Sequence, residues 1–259
     1  MKTLTKRLVL VVLLLAMAYV PAYGEPGKET LSQISTLDAL AQGYFDGVIP
    51  VSKVSKYGNF GIGTFQGLDG EMLVLDGKVY QVPVSGAVRV ADPKWTIPFM
   101  AVTYFKAGQA RKVPAGTDMK TLAQETEAAF PSKNLFYAIR IEGTFEKVKT
   151  RSVAKQPSPY PTLAEALKKQ AVFELSNVEG TAIGFWCPTY VKGINLPGYH
   201  LHFLTKNGKA GGHVLDFTTK NTVVKVQKLN EFSMILPDTP AFGRLDFTTD
   251  RSAEVKKVE

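Results

Sequence analysis

The sequence predicts a mixed α+β fold in which strands dominate, arranged as two sheet-rich halves with short helices. Three observations predict it. Apolar and polar residues alternate over many short runs, the pattern of half-buried strands. Asp69-Gly70, Asp76-Gly77 and Asn207-Gly208 punctuate those runs as hairpin signals. The few helix-like stretches are short and carry recognisable caps.

The chain opens on MKTLTKRLVLVVLLLAMAYVPAYGEP, with Lys2, Lys6 and Arg7 ahead of an apolar run from Leu8 to Val20. Ala22-Tyr23-Gly24 then forms a small-x-small triplet. This is the pattern of a secretory signal peptide at residues 1–24, cleaved near Gly24. The run is about thirteen residues, short of the roughly 20 that a membrane span needs. The protein is therefore expected to be secreted, with no membrane attachment after cleavage.

Thr36 caps a short helix through Gln42, with Gly43 ending it. A second short helix is expected from Val51 to Lys56. Residues 60–82 read as a strand meander, and AVRVAD and IPFMAVTYF give further strands. TDMKTLAQETEAAF is a helix capped by Thr117 or Asp118. LFYAIRIEGTFEKVKTRSV is one long strand or a bent pair. Thr162 and Glu165 make a capping box for a helix through Gln170. AVFELSNVEGTAIGFWCP, GYHLHFLTKNG, GGHVLDFTTK and NTVVKVQKLNEFSMILP all read as strands. The Pro-rich stretch at 155–162 marks a boundary, giving an N-terminal sheet-rich domain at 25–155 and a C-terminal metal-binding sheet domain at 156–259.

Composition is ordinary for a globular protein, with 45% hydrophobic and 21% charged residues. The net charge of +8 comes from scattered basic residues, three of them in the leader. No dense basic block or aromatic-basic interleaving marks a nucleic-acid partner. A mildly basic surface suits a small anionic substrate. The single cysteine, Cys187, lies in the apolar run IGFWCPTY and is expected to be buried filler.

All three histidines of the chain, His200, His202 and His213, fall within GYHLHFLTKNGKAGGHVLDF. On a strand, His200 and His202 project from one face while Leu201 faces the other. Asn207-Gly208 turns the chain, and His213 returns beside them. Three imidazoles on one hairpin face suit a divalent metal, most often zinc, with open positions for water or substrate. Cupins share the HxH spacing, but their following glutamate is absent here, where Lys206, Asn207 and Gly208 stand. Spacing alone does not distinguish a hydrolase, a lyase or an oxygenase. A secreted tris-histidine zinc hydrolase and a non-catalytic metal-binding protein both satisfy it.

The chain resembles the α-acetolactate decarboxylase family over nearly its whole length beyond the leader. The resemblance rests on QISTLDALAQGYFDG, GNFGIGTFQGLDGEMLVLDGKVYQ, TRSVAKQPSPYPTL and GYHLHFLTKNGKAGGHVLDF, in that order. It implies zinc-dependent conversion of 2-acetolactate to (R)-acetoin and carbon dioxide, in acetoin and butanediol biosynthesis. The zinc would sit on His200, His202 and His213. Two glutamates belong at or beside the metal: Glu71 in the LDGE turn, and Glu259 in a tail that folds back over the site, with Glu254 as the alternative. Arg151 in TRSV is the implied active-site arginine, and Thr64 in GIGTF the implied substrate-binding threonine. A homodimer joined through the N-terminal sheet is also implied. From the residues alone, Glu71 reads as an exposed hairpin residue and Arg151 as a surface charge. Arg140 competes with Arg151, because it alternates with apolar neighbours.

Overall fold

A computed structural model of the protein describes residues 29–106, 108–251 and 253–255. The expected leader at 1–24 and the expected tail glutamate, Glu259, lie outside the described residues. The first half runs β1 (Thr30–Ile34), α1 (Leu37–Ala41), β2 (Ile49–Pro50), β3 (Phe60–Thr64), β4 (Glu71–Leu75) and β5 (Lys78–Val82). It continues through β6 (Arg89–Val90), β7 (Thr96–Ile97), β8 (Phe99–Thr103), β9 (Arg111–Val113) and α2 (Met119–Ala128). Then come β10 (Phe136–Ser152), α3 (Leu163–Leu167), β11 (Ala171–Cys187), β12 (Gly198–Thr205), β13 (Gly211–Leu229), β14 (Glu231–Ile235) and α4 (Pro240–Gly243).

The caps form as the sequence predicts. The Thr36 hydroxyl accepts from the Ala39 amide at 3.1 Å at the start of α1. Asp118, rather than Thr117, caps α2, accepting from the Thr121 amide at 2.7 Å. The Thr162–Glu165 capping box opens α3, which ends at Leu167, short of the expected Gln170. Val51–Lys56 is a 3-10 helix; Val51 and Val54, three apart, both bury, which suits a helix that brings i and i+3 into line.

Asp76-Gly77 joins β4 to β5, both residues lying at positive φ (51° and 81°), the tight hairpin turn this pair favours. Asp69-Gly70 does not make such a turn. It closes a longer loop, 65–70, between β3 and β4. The expected choice between one strand and a bent pair resolves as one strand, β10, whose register against β13 shifts at Thr144/Phe145, Phe145/Lys147 and Lys149/Thr150. These bulges bend the strand without ending it. Residues 211–229, read as parts of two strands, are likewise one.

Among the described residues the main strands form two sheets. One has seven strands in the order β14-β1-β8-β3-β4-β5-β6. The other has five, β10-β11-β12-β13-β9, and β10 also pairs with β13, so its four long strands close on themselves. Tyr137, Ile139, Phe145, Phe203 and Phe217 form one side of this closed sheet's core, which Leu122 of α2 joins. The two sheets meet through Leu31, Phe60 and Leu73 of one and Ala138, Ile183 and Leu204 of the other. Sheet membership does not follow the expected boundary at 155–162. β9 and β10 precede it yet belong to the five-stranded sheet, and β14 follows it yet pairs in parallel with β1. Strand pairing joins segments distant in sequence, so a Pro-rich stretch marks a surface connection and not the division between sheets.

Candidate functional site

The site lies where the two sheets meet, and each sheet supplies part of it. β12 presents His200 and His202 toward the interface, while Leu201 between them joins the core of the closed sheet. β13 pairs antiparallel with β12, and His202 stands directly opposite His213. The connection spans residues 206–210, longer than a two-residue Asn-Gly turn, because the Thr205 hydroxyl gathers the Lys209 and Ala210 amides at 3.2 and 3.0 Å. The imidazole centroids stand 4.9–5.4 Å apart. One nitrogen from each ring falls in a group within 4.8 Å of one another.

β10 brings Arg151 opposite His213 on its other side. The guanidinium-bearing residue is only 2% exposed. From the facing sheet, β4 begins at Glu71, whose Oε2 is 3.5 Å from His202 Nε2. Thr64, opposite Glu71 in the β3–β4 pair, donates its hydroxyl hydrogen to the Gly70 carbonyl at 2.7 Å. Gly70 has φ +75°, and a Cβ there would overlap the Val82 carbonyl oxygen. That same carbonyl accepts from the buried Ser152 hydroxyl at 2.7 Å. Ser152 thus ties the strand bearing Arg151 to the strand that pairs with Glu71.

The electrostatics of this chamber favour neutral imidazoles. Burial, reinforced by the Arg151 charge, pushes His200 down to about 3. Burial first, then neighbouring histidine and Arg151 charges, also holds His202 and His213 well below the usual imidazole range. His202 Nδ1 lies 2.9 Å from the Met72 carbonyl. A carbonyl only accepts, so Nδ1 carries the proton and Nε2 presents its lone pair to the chamber. His202 Nε2 is buried with no hydrogen-bond partner among the described residues. A neutral ring fixed by a backbone carbonyl, with an inward lone pair, is how proteins hold a metal-ligating histidine. The donor set therefore fits a divalent metal on His200, His202 and His213, with Glu71 beside it.

His200, His202, His213, Glu71, Arg151 and Thr64 all line one chamber. Arg140 does not join them. It sits on the same long strand but bonds Asp76 of the β4–β5 turn at 2.7 Å and Glu142 at 2.7 Å. Glu254, the alternative tail glutamate, stands 3.8 Å from Arg251 and is outside the lining set. Its neighbour Val255 packs with Leu37, Leu40, Leu163 and Leu167, so the described end of the tail reaches the chamber wall. Cys187 is buried in the core between the sheets, where desolvation pushes its thiol pKa up. Sequence reasoning missed the apolar wall itself: Leu37, Leu40, Phe99, Val153, Leu163 and Leu167. Leu37 and Leu40, like Leu163 and Leu167, are spaced one helical turn apart, the available signal for such a face.

Fold and site together define a two-sheet protein with a buried tris-imidazole centre for a divalent metal and a buried guanidinium beside it. Residues 31–249 match the alpha-acetolactate decarboxylase family. The alpha-acetolactate decarboxylase of Methanosarcina mazei is 43% identical over 240 residues, covering 93% of this chain and 83% of that protein. The Bacillus subtilis strain 168 enzyme of the same name is 40% identical over 210 residues, covering 81% and 82%. The crystal structure of the alpha-acetolactate decarboxylase from that strain superposes with a TM-score of 0.87 at 36% identity, covering 89% of this chain and 99% of its own. A Staphylococcus aureus protein of unknown function, described as similar to alpha-acetolactate decarboxylase, gives 0.85 at 28% identity, covering 89% and 100%. The chain belongs to the alpha-acetolactate decarboxylase family and is a carboxy-lyase.

Proposed function

We propose that the protein converts 2-acetolactate to (R)-acetoin and carbon dioxide, using zinc held by His200, His202 and His213. One observation carries the reading: three imidazoles, a carboxylate and a guanidinium converge on one buried chamber from two different sheets. Zinc, when bound, supplies a Lewis acid that stabilises negative charge developing on the substrate's ketone oxygen. Arg151 holds the substrate carboxylate through its planar fork and orients it for loss as carbon dioxide. Its fixed charge does this without a proton transfer. Thr64 has committed its hydroxyl hydrogen to Gly70, so it contributes only as an acceptor, suited to the tertiary hydroxyl of acetolactate. The leucine wall excludes water from the carbon that gains the electron pair of the broken bond. Glu71 delivers a proton to that carbon from one side, which sets a single product configuration. The expected tail glutamate, Glu259, is the second carboxylate of this proposal.

A colorimetric acetoin assay on zinc-loaded protein, with and without chelator, tests the reading. Acetoin that disappears with chelator and returns with zinc is the expected result. No acetoin from a zinc-loaded sample would overturn it, and ester cleavage in its place would favour a zinc hydrolase.

The proposal extends to a secreted homodimer in acetoin and butanediol biosynthesis. The leader pattern at 1–24 supports secretion, and N-terminal sequencing of protein from culture medium checks it. No helix among the described residues is long and apolar enough to cross a membrane. β14 ends the seven-stranded sheet, where Ile235 and Leu236 are exposed. Exposed apolar residues on an edge strand support association of two copies through this sheet. Light scattering on the purified protein reads the oligomeric state.

A further inference from the structure

Gln81 has no exposed surface, although it is a polar residue outside the chamber. It occupies β5 directly opposite Met72, the residue after Glu71. Its side-chain amide donates to the Asp69 carbonyl at 2.6 Å. Its side-chain oxygen accepts from Arg89 Nε at 2.6 Å. The Arg89 guanidinium lies over the Trp95 ring, 4.8 Å from its centroid. Trp95 in turn meets Phe65 edge-on at 5.6 Å, and Phe65 follows Thr64 in the chain.

These contacts form a closed circuit around the 65–70 loop. The two carbonyls immediately before Glu71 are each held by a buried side chain: Asp69 by Gln81 and Gly70 by Thr64. Arg89 settles the orientation of the Gln81 amide, because a guanidinium only donates and must face the amide oxygen. The amide nitrogen is thereby directed at Asp69. A buried amide left without either partner would incur the full desolvation penalty, which couples the contacts of the circuit.

We propose that Gln81 is a positioning residue for the reaction, acting through the Asp69 carbonyl to fix the side from which Glu71 delivers its proton. The inference rests on the reading of Glu71 as proton donor. A loop free to shift lets the carboxyl address the reacting carbon from other angles, and lets water protonate the opposite side. Misplacement of a reacting group by about 1 Å lowers rate by as much as about 100-fold. Arg89, exposed on the edge strand, acts through Gln81 and has a weaker effect in the same direction.

The test measures kcat, KM, zinc content and the enantiomeric purity of acetoin for wild type, Gln81→Leu and Arg89→Leu. Leucine keeps much of the volume and removes both hydrogen bonds. For Gln81→Leu the expected result is a kcat fall of about 10–100-fold, with KM and zinc content near wild type and acetoin of lowered enantiomeric purity. Arg89→Leu, a change on the exposed edge strand, should lower purity measurably with a smaller loss of kcat. It keeps the test decisive where Gln81→Leu does not fold. Loss of kcat with product purity unchanged in both variants would mark a structural role and overturn the inference. Racemic acetoin from wild type would overturn the proton-donor reading itself, and Gln81's role with it.

Discussion

Replacing Arg151 by alanine tests the proposed reaction most directly. The residue is 2% exposed, pairs opposite His213 and lines the chamber. A guanidinium meets a carboxylate through two parallel hydrogen bonds. Each charge-assisted bond contributes about 1.5–3 kcal/mol, so two contribute about 3–6 kcal/mol. At about 1.36 kcal/mol per decade, kcat/KM should fall about 10²–10⁴-fold. Zinc content should not fall with it. Arg151 lowers the pKa of all three imidazoles, so its loss leaves them better donors to a cation. Initial acetoin rates and elemental analysis on the same preparation read both effects. Arg140→Ala removes a like charge from the same strand and should leave kcat/KM unchanged, since Arg140 is occupied with Asp76 and Glu142. An Arg151→Ala enzyme with kcat/KM within about tenfold of wild type would refute the argument, because it would fall outside the two-bond range. So would an equal loss in Arg140→Ala.

His213→Ala should weaken the proposed metal binding by more than the roughly 10–100-fold that loss of an outer-shell partner costs, read with zinc as the probe by competition with a chromophoric chelator. Gly70→Ala places a side chain at φ +75° against the Val82 carbonyl. It should cost about 1–2 kcal/mol and lower Tm by about 2–8 °C, read by calorimetry; an unchanged Tm would contradict the close approach. The metal-free protein should lose stability as pH falls below 6.5. Its imidazoles have depressed folded-state pKa values, His200 at about 3, so the unfolded chain takes up protons that the folded one refuses. Their contribution is complete above pH 6.5 and declines through the acid range. All the histidine of the chain lies in this site, so a flat Tm between pH 7 and 5 would show the rings to be freely protonated.

The parts of this protein that were legible in the sequence depend on local rules. Strand alternation put His200 and His202 on one face, and the hairpin placed His213 beside them. Thr36 and Thr162 announced their helices because capping needs only the next three residues. Pairing between distant strands follows no such rule. The Met72 carbonyl that orients His202 is 130 residues away in the chain. The closure of β10 on β13, which sets Arg151 opposite His213, is a property of the whole sheet. Glu71 and Arg151 therefore read as surface charges until a family resemblance placed them.

Some distant partners do leave a local trace, in the form of a polar residue where alternation calls for an apolar one. Phe60, Ile62 and Thr64 share one face of β3, and the first two are core residues. Val79 and Gln81 share one face of β5, and Val79 is buried. A polar side chain in such a place must find a buried partner or destabilise the fold. Thr64 and Gln81 find theirs in consecutive carbonyls of one loop, the loop that ends in Glu71. The Asp69-Gly70 pair suggested only a tight turn. The two misplaced polar residues flanking it were the better sign that this loop holds a carboxylate in a set position.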